Sequence, residues 1–433
     1  MGTGHTRTKS YMTILLMIAN VVIYLLTTYD KAFTSISDYW VSNAALIPVI
    51  LLEPSEWYRF LTSMFLHGDI FHIFFNMYFL YLFGKEIEDV LGPGRFLTLY
   101  ILSGLVASMF HIAFIPLTGV QGLFIPALGA SGAISGVLGA YLLLFPRKKM
   151  SICWFSWIPF CFTTRAAYFL IFWFATQVLY GYSRLGGVAF FAHVGGFVAG
   201  MSFLALLVPT WVRELGVKVG LGTWGFGQYV IKRGLGNVSK WILTLLLVTL
   251  VGSALYVAIE GSGMGAGMYV YMIEATMDGI RDSDIAVFDM RKIVVTPSSD
   301  AVRVALNRLY WAGILKGTPN TINDVYRYEG IVQTTIGGIP IKVKLYLTAR
   351  VRYDKYGVLT ELTGKMVTDV IQISALGGVR LERNVPISIS LSAKGPTENI
   401  GTSLIVPAAI LALLITLSST YTVVSKDKEL SLV

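Results

Sequence analysis

Charged residues are scarce in this sequence. Asp, Glu, Lys and Arg make up 14% of its 433 residues, whereas 55% of the residues are hydrophobic and the mean hydropathy is +0.66. The surface of a soluble protein carries many more charged side chains than this composition supplies. The scarcity of charge therefore excludes an ordinary soluble globular protein and predicts an integral membrane protein.

Cysteine is scarcer still. The two cysteines, Cys153 and Cys161, flank a short aromatic stretch. One close pair does not make a disulfide framework, and no histidine stands beside it to complete a zinc site. We therefore expect no metal site and no cofactor.

The net charge is +9, but the basic residues do not form one patch with interleaved aromatic residues, as a nucleic-acid-binding surface would. They stand in small groups between apolar runs instead. This placement argues against nucleic acid as a partner. It is typical of membrane proteins, whose basic loops stay in the cytoplasm.

Long apolar runs are abundant. A membrane-crossing helix needs about 20 predominantly apolar residues. Runs that meet or approach this length lie at residues 11–28, 60–83, 96–116, 128–145, 166–182, 190–208, 240–259 and 403–424. If Arg7 is cytoplasmic, then Arg95, Lys148 and Lys426 fall on the same side of the membrane. The sequence therefore predicts an α-helical polytopic membrane protein with eight spans and both termini in the cytoplasm.

Residues 260–402 differ from the rest of the chain. They contain alternating β-branched and aromatic residues between turns rich in Gly, Pro and Asp. We predict an external β-rich domain, with one helix near residues 299–315. The preceding cytoplasmic linker, residues 209–239, contains several glycines, which favours flexible attachment. A chain that ends near Lys218 is then expected to keep the function of the first six spans.

Polar residues within the predicted spans are few, and each is a candidate for function because a polar group in a bilayer is costly. Ser131 and His193 each open a run with small residues at every fourth position, which lets two helices approach closely. Each also precedes, by a similar number of residues, a proline at the cytoplasmic end of its run, Pro146 or Pro209. We therefore expect the two side chains at one depth, where an imidazole can take a serine proton.

Other roles remain open for these residues. A serine in a membrane helix often bonds to a carbonyl one turn earlier, and a histidine often links two helices. His72 and Asn76 share one face of a predicted span. They suit a developing oxyanion as donors, but a structural hydrogen bond between helices explains them equally well. His67 is expected on a different face from His72, which disfavours a metal site.

Several of these residues belong to short motifs. The motifs are Gly129-Ala130-Ser131-Gly132, Ala192-His193 with Gly196 and Gly200, His67 with His72 and Asn76, and Tyr58-Arg59. Together they resemble the GxSG, AHxxGxxxG, HxxxxHxxxN and Trp-Arg motifs of the rhomboid proteases, with tyrosine in place of the tryptophan. Glu88 falls where that family has a structural glutamate. The resemblance covers about residues 11–208.

The resemblance implies a six-helix protease core at residues 1–208, with Ser131 as nucleophile and His193 as base. His72, Asn76 and the Ser131 backbone would stabilise the oxyanion. The substrates would be membrane proteins within the lipid bilayer. Structural roles are implied for Arg59, Glu88, Gly129, Gly132, Gly196 and Gly200.

Two features depart from the family pattern. Ser135 stands where some bacterial members have a tyrosine that packs on the histidine. Two alternatives follow: another aromatic, such as Phe197 or Phe191, packs there, or the imidazole is held less firmly. The two further spans, at residues 240–259 and within residues 403–433, enclose the β-rich domain and lie beyond the resemblance.

One alternative function is a rhomboid-like pseudoprotease that binds membrane clients without cutting them. A transporter is disfavoured, because inverted repeats and charges near the bilayer centre are missing.

Overall fold

The computed structural model describes residues 11–154, 160–184, 188–214, 234–262, 268–289, 292–295, 299–315, 324–336, 339–353, 358–373, 379–394 and 400–432. The chain divides into two compact units. The first unit comprises Met1–Met264 and Ile400–Val433, and the second comprises Gly265–Asn399.

Helices build the first unit. In chain order the helices of the described chain are α1 (Tyr11–Thr28), α2 (Asp38–Ala44), α3 (Arg59–Thr62), α4 (Ile70–Phe79), α5 (Lys85–Leu91), α6 (Pro93–Ala113), α7 (Ile115–Thr118), α8 (Ser131–Leu144), α9 (Ala166–Tyr182), α10 (Phe190–Leu207), α11 (Thr210–Glu214), α12 (Asn237–Gly261), α13 (Asp300–Trp311), α14 (Val406–Tyr421) and α15 (Asp427–Leu430). Of these, only α13 belongs to the second unit. A π-helical segment, Leu80–Gly84, joins α4 to α5, and another, Thr422–Lys426, joins α14 to α15.

Five helices of the described chain are long and apolar enough to cross a membrane. They are Tyr11–Lys31, Pro93–Ala113, Phe190–Leu207, Asn237–Gly261 and Gly401–Leu430. Two further apolar helices, α8 and α9, are shorter. Large apolar side chains such as Leu26, Leu206 and Ile259 are mostly exposed, as lipid-facing side chains are. The chain is therefore a helical polytopic membrane protein.

The predicted helix over residues 60–83 is wrong at its start. A short 3-10 helix, Ser63–Phe65, and a non-helical stretch separate α3 from α4, and α4 begins immediately after Asp69. The Asp69 carboxylate accepts hydrogen bonds from the backbone N–H groups of Phe71 and His72, which caps the helix there. His67 therefore lies outside α4, whereas His72 lies in its first turn.

Helices α8 and α10 cross at glycines. A Cβ on Gly196 would overlap the carbonyl oxygen of Gly132, and a Cβ on Gly200 would overlap that of Gly136. The two backbones therefore touch, as the small-residue spacing predicts. Because Gly132 directly follows Ser131 and Gly196 comes three residues after His193, the first of these contacts brings the starts of α8 and α10 together.

The last helices pack on the earlier ones. Helix α14 contacts α6, α10 and α12, and the Ser202 hydroxyl on α10 donates a hydrogen bond to the Ser418 hydroxyl over 2.7 Å. The Asp427 carboxylate accepts a hydrogen bond from Lys240 over 2.9 Å. The expectation of loose attachment is therefore wrong for α12 and α14. The glycines that motivated it lie in residues 215–233, outside the described residues.

A hairpin follows α8. Its antiparallel strands β1 (Lys149–Trp154) and β2 (Phe160–Arg165) place Cys153 opposite Cys161. Cys161 is disulfide-bonded. Disulfides persist mainly in oxidising compartments. The disulfide therefore favours an oxidising, non-cytoplasmic compartment for the hairpin. The basic residues before the hairpin favour the cytoplasm instead.

An antiparallel sheet forms most of the second unit. Its described strands are β3 (Met268–Met277), β4 (Ile280–Asp289), β5 (Lys292–Val295), β6 (Asp324–Ile336), β7 (Ile339–Tyr353), β8 (Leu359–Ile373) and β9 (Val379–Lys394), in the order β5-β4-β3-β9-β8-β7-β6. Alternate residues of β7, such as Leu345, Leu347 and Val351, are buried in a core that α13 shares. The β-sheet region predicted for this part of the chain is therefore present, with its helix.

Tyr353, the last residue of β7, anchors the segment after α13. Its hydroxyl donates a hydrogen bond to the carbonyl oxygen of Ile314 over 2.8 Å, and the residue is buried. Burial raises the pKa of the Tyr353 phenol to about 12, because the phenolate would lose its hydration there. Burial therefore favours the neutral hydroxyl in the folded chain.

Candidate active site

Ser131 and His193 face each other where α8 and α10 begin. Ser131 is the first residue of α8, and His193 lies in the first turn of α10. The hydroxyl oxygen of Ser131 lies 2.8 Å from Nε2 of His193. At this distance the imidazole can accept the hydroxyl proton. The structure thus brings together the two residues that the sequence pairs.

Gln177, on α9, contacts the other nitrogen of the same imidazole. Its Oε1 lies 2.8 Å from Nδ1 of His193, and the residue is buried. The prediction of a two-residue unit omits Gln177. The available signal was an amide within the predicted span at residues 166–182, where a polar residue is costly.

Trp173, which lies one turn before Gln177 on α9, packs beside the imidazole of His193. The centroids of the Trp173 and His193 rings are 6.1 Å apart, and the ring planes are tilted by 32°. Trp173, rather than the expected Phe197 or Phe191, is therefore the aromatic residue beside the imidazole. The Ser135 hydroxyl donates back to the carbonyl oxygen of its own helix one turn earlier, over 2.6 Å.

A cavity of about 670 Å³ lies in front of this pair. Residues of α4, α6, α8, α9 and α10 line it, and Phe71 and Phe75 of α4 form an apolar part of its wall. Polar groups among the lining residues include His72, Asn76 and His111. Pockets of this size hold small ligands or several waters. The cavity therefore has room for a short peptide segment and for water.

His72 lines this cavity, and a hydrogen bond to its ring sets its tautomer. Its Nδ1 accepts a hydrogen bond from the backbone N–H of Gly68 over 3.3 Å, so the ring proton of a neutral imidazole lies on Nε2. A Cβ on Gly129 would stand 2.7 Å from that Nε2 and 3.6 Å from the Ser131 hydroxyl oxygen. Gly129, with φ of +124°, therefore keeps open the space between a donor and the hydroxyl.

Asn76 lies one turn further along α4. Its Nδ2 donates a hydrogen bond to the carbonyl oxygen of His72 over 2.8 Å, and its side chain lines the cavity. An amide nitrogen carries two N–H donors, and this bond uses one. A structural bond within α4 and donation to a ligand in the cavity are therefore compatible.

Arg59 and Glu88 lie outside the cavity lining and are buried. Arg59 forms an ion pair with Glu56 over 2.7 Å and donates to a backbone carbonyl. Glu88 accepts hydrogen bonds from the backbone N–H groups of Met12 and Thr13, over 2.8 Å each. These contacts hold the segment before α3 and the start of α1, as structural residues do.

His67 lies beside His72, with ring centroids 5.1 Å apart. The expectation that the two histidines face apart is wrong, because His67 precedes α4 and does not follow its helical spacing. Within the described residues, no group of three or more His, Cys, Asp or Glu side chains is placed to hold a metal ion.

Comparison with known proteins gives one domain match and several relatives. The Rhomboid domain matches residues 54–210. The chain is similar to the Rhomboid protease GluP of Bacillus subtilis (strain 168), with 40% identity over 100 residues. It is also similar to Rhomboid protein 1, mitochondrial, of Saccharomyces cerevisiae, with 31% identity over 146 residues, and to the human presenilin-associated rhomboid-like protein, mitochondrial, with 31% identity over 142 residues.

These similarities cover part of each protein. They extend over 23%, 33% and 33% of this chain, in the same order, and over 18%, 39% and 35% of the relatives. The chain thus matches well under half the length of these curated relatives. The matched domain includes Ser131, His193 and every other residue that the motifs single out. The chain therefore contains a rhomboid domain, at residues 54–210.

Proposed function

We propose that this chain is an intramembrane serine endopeptidase that hydrolyses peptide bonds in or near the transmembrane segments of membrane proteins. The observation that carries the proposal is the 2.8 Å separation between the Ser131 hydroxyl oxygen and His193 Nε2, beside a cavity among apolar helices. A hydroxyl is a weak nucleophile until a base takes its proton. The imidazole is placed to be that base.

The geometry supports an acyl-enzyme route. His193 Nε2 takes the hydroxyl proton while Ser131 Oγ bonds to the carbonyl carbon of the scissile peptide, and an electron pair moves to the carbonyl oxygen. His193 then gives the proton to the leaving nitrogen, the C–N bond breaks, and the acyl group stays on Ser131. Water, deprotonated by the same imidazole, attacks the ester, and the released serine oxygen regains the proton.

The oxyanion of each tetrahedral intermediate needs donors in place before it forms. We assign this role to His72 Nε2–H, the Asn76 amide and the backbone N–H of Ser131. Support comes from Gly129, where a side chain would fill the space between His72 Nε2 and the serine hydroxyl. Apolar surroundings strengthen such bonds, because water competes less there.

The proposed organisation is a six-helix rhomboid-like core at residues 1–208, followed by two further spans that enclose an external β-rich domain, with both termini cytoplasmic. Labelling tests the orientation. After reduction of the disulfide in intact cells, a membrane-impermeant maleimide should leave Cys161 unlabelled until the cells are permeabilised. Labelling before permeabilisation would place the hairpin outside and reverse the assignment.

The decisive experiment compares wild type, Ser131→Ala and Ser135→Ala in liposomes that contain a single-span membrane protein. Cleavage should be lost in Ser131→Ala and largely kept in Ser135→Ala, since the Ser135 hydroxyl donates to a carbonyl oxygen of its own helix. If wild type binds the client without cutting it in any condition, the chain is a pseudoprotease. Loss in Ser135→Ala alone would show that the nucleophile is misassigned.

A further inference from the structure

We propose that Gln177 positions His193, so that the unit which activates Ser131 has three members, Ser131, His193 and Gln177. This inference rests on the proposed function, because it concerns the base of that reaction. It is carried by the 2.8 Å contact between Gln177 Oε1 and His193 Nδ1, on the side of the ring away from Ser131.

The contact selects a tautomer. Neutral imidazole carries its proton on either nitrogen, and only the Nδ1–H form leaves a lone pair on Nε2 for the Ser131 proton. An acceptor oxygen at Nδ1 stabilises that form and orients the ring. In the other tautomer Nε2 would donate to the Ser131 hydroxyl and could not take its proton.

The orientation of the Gln177 amide follows from its neighbour on α9. The Thr176 hydroxyl donates its proton to the Trp173 carbonyl oxygen over 2.6 Å, so it has only lone pairs left to offer. Gln177 Nε2 lies 3.4 Å from that hydroxyl oxygen and donates to it. The amide nitrogen is therefore directed to Thr176, and the amide oxygen faces His193.

An amide suits this position for an electrostatic reason. A carboxylate would orient the ring in the same way, but a buried charge within a membrane helix is costly. A neutral acceptor in a low-dielectric setting still gives a strong hydrogen bond. Gln177 and Trp173 are also four residues apart, so both lie on one face of α9. From that face Gln177 contacts Nδ1 of the imidazole, and Trp173 packs beside the ring.

The test compares two substitutions with a matched control. Gln177→Met keeps the side-chain length and removes the acceptor, whereas Gln177→Glu keeps an oxygen. We expect kcat to fall by about 10- to 10²-fold in Gln177→Met with KM within about twofold, and most of kcat to return in Gln177→Glu. Ser202→Ala, which removes a buried hydroxyl elsewhere on α10, should stay within about twofold of wild type for both constants.

A second readout does not depend on cleavage. The rate at which a fluorophosphonate labels Ser131 should fall in Gln177→Met in parallel with kcat, and ¹⁵N NMR of the histidines should show His193 leaving the Nδ1–H tautomer. The NMR measurement also serves if Gln177→Met folds poorly, because a wild-type His193 that does not carry its proton on Nδ1 would overturn the inference.

Each outcome decides between the two ideas. If wild type cleaves and Ser131→Ala does not, but folded Gln177→Met keeps kcat and labelling within twofold of wild type, the inference fails and the proposed function stands. The inference also fails if Gln177→Glu is no better than Gln177→Met. If wild type neither cleaves nor labels, the proposed function fails and the inference falls with it.

Discussion

Gly196 lies so close to Gly132 that a Cβ at position 196 would overlap the carbonyl oxygen of residue 132. Ser131 directly precedes one of these glycines, and His193 lies one turn before the other. The crossing that brings the backbones of α8 and α10 together therefore also sets the distance between the hydroxyl and the imidazole. A hydrogen bond weakens when its donor–acceptor distance becomes a few tenths of an ångström longer than the optimum.

Gly196→Ala should consequently lower turnover by about 10²-fold, since a displacement of about 1 Å at the reacting groups costs that much. Stability should fall by about 1–3 kcal/mol, because the added methyl meets backbone that cannot move without parting the helices. The measurements are turnover per folded molecule and the thermal midpoint.

Gly252→Ala is the control for this prediction. Gly252 lies on α12, and a Cβ there would meet nothing within 4 Å. Both turnover and stability should therefore be unchanged or slightly higher. Equal losses in the two variants would show that the effect of Gly196→Ala does not come from the crossing.

Much of the first unit is readable from the sequence because its signals are local. Small residues at every fourth position predict the α8–α10 contact, and the apolar runs mark the helices. The start of α4 was missed, because the Asp69 cap decides it and an apolar run continues through that point. Hydrophobicity alone does not report such a cap.

The candidate site is less readable, because its contacts join separate helices. Matching depths and small-residue spacing pair Ser131 with His193. The sequence does not single out Gln177 or Trp173, because their role depends on how α9 is rotated. Sequence spacing does not give the rotation of one helix against another. The disulfide at Cys161 depends in the same way on the register of a hairpin.

Asn76→Ala should slow turnover by up to about 10² to 10³ if its amide alone stabilises the oxyanion, and by less if His72 and the Ser131 backbone share the charge. KM should change little, because the donor acts mainly on the transition state. The measurement is kcat and KM for a single-span substrate, alongside a thermal melt. Normal turnover per folded molecule with a lowered melting temperature would instead make Asn76 a purely structural residue.

Stability of the second unit should fall at alkaline pH through Tyr353. The phenol pKa is about 12 in the folded chain and 10.0 in the reference state. A folded pKa above the unfolded value means that the stabilising contribution is complete below pH 10 and is lost as the pH rises from about 10 to 12. Denaturant unfolding across this range should show a steeper loss for wild type than for Tyr353→Phe, which lacks the ionising group. Parallel curves would assign the pH dependence to other residues.

The final prediction concerns α12 and α14. All residues that line the cavity precede residue 209, so a chain that ends near Lys218 should keep its KM for a generic substrate within about twofold. It loses the contacts of α14 with α6 and α10 and the Ser202–Ser418 hydrogen bond. Within lipid or detergent such packing is a main source of helix association.

The thermal midpoint of this shortened chain should therefore fall by about 5–10 °C. Ser418→Ala, which removes only the hydrogen bond, should lower it by no more than about 2 °C. A shortened chain that melts like the intact protein would mean that α12 and α14 add no stability. One that is folded yet inactive on every substrate would mean that they complete the active site.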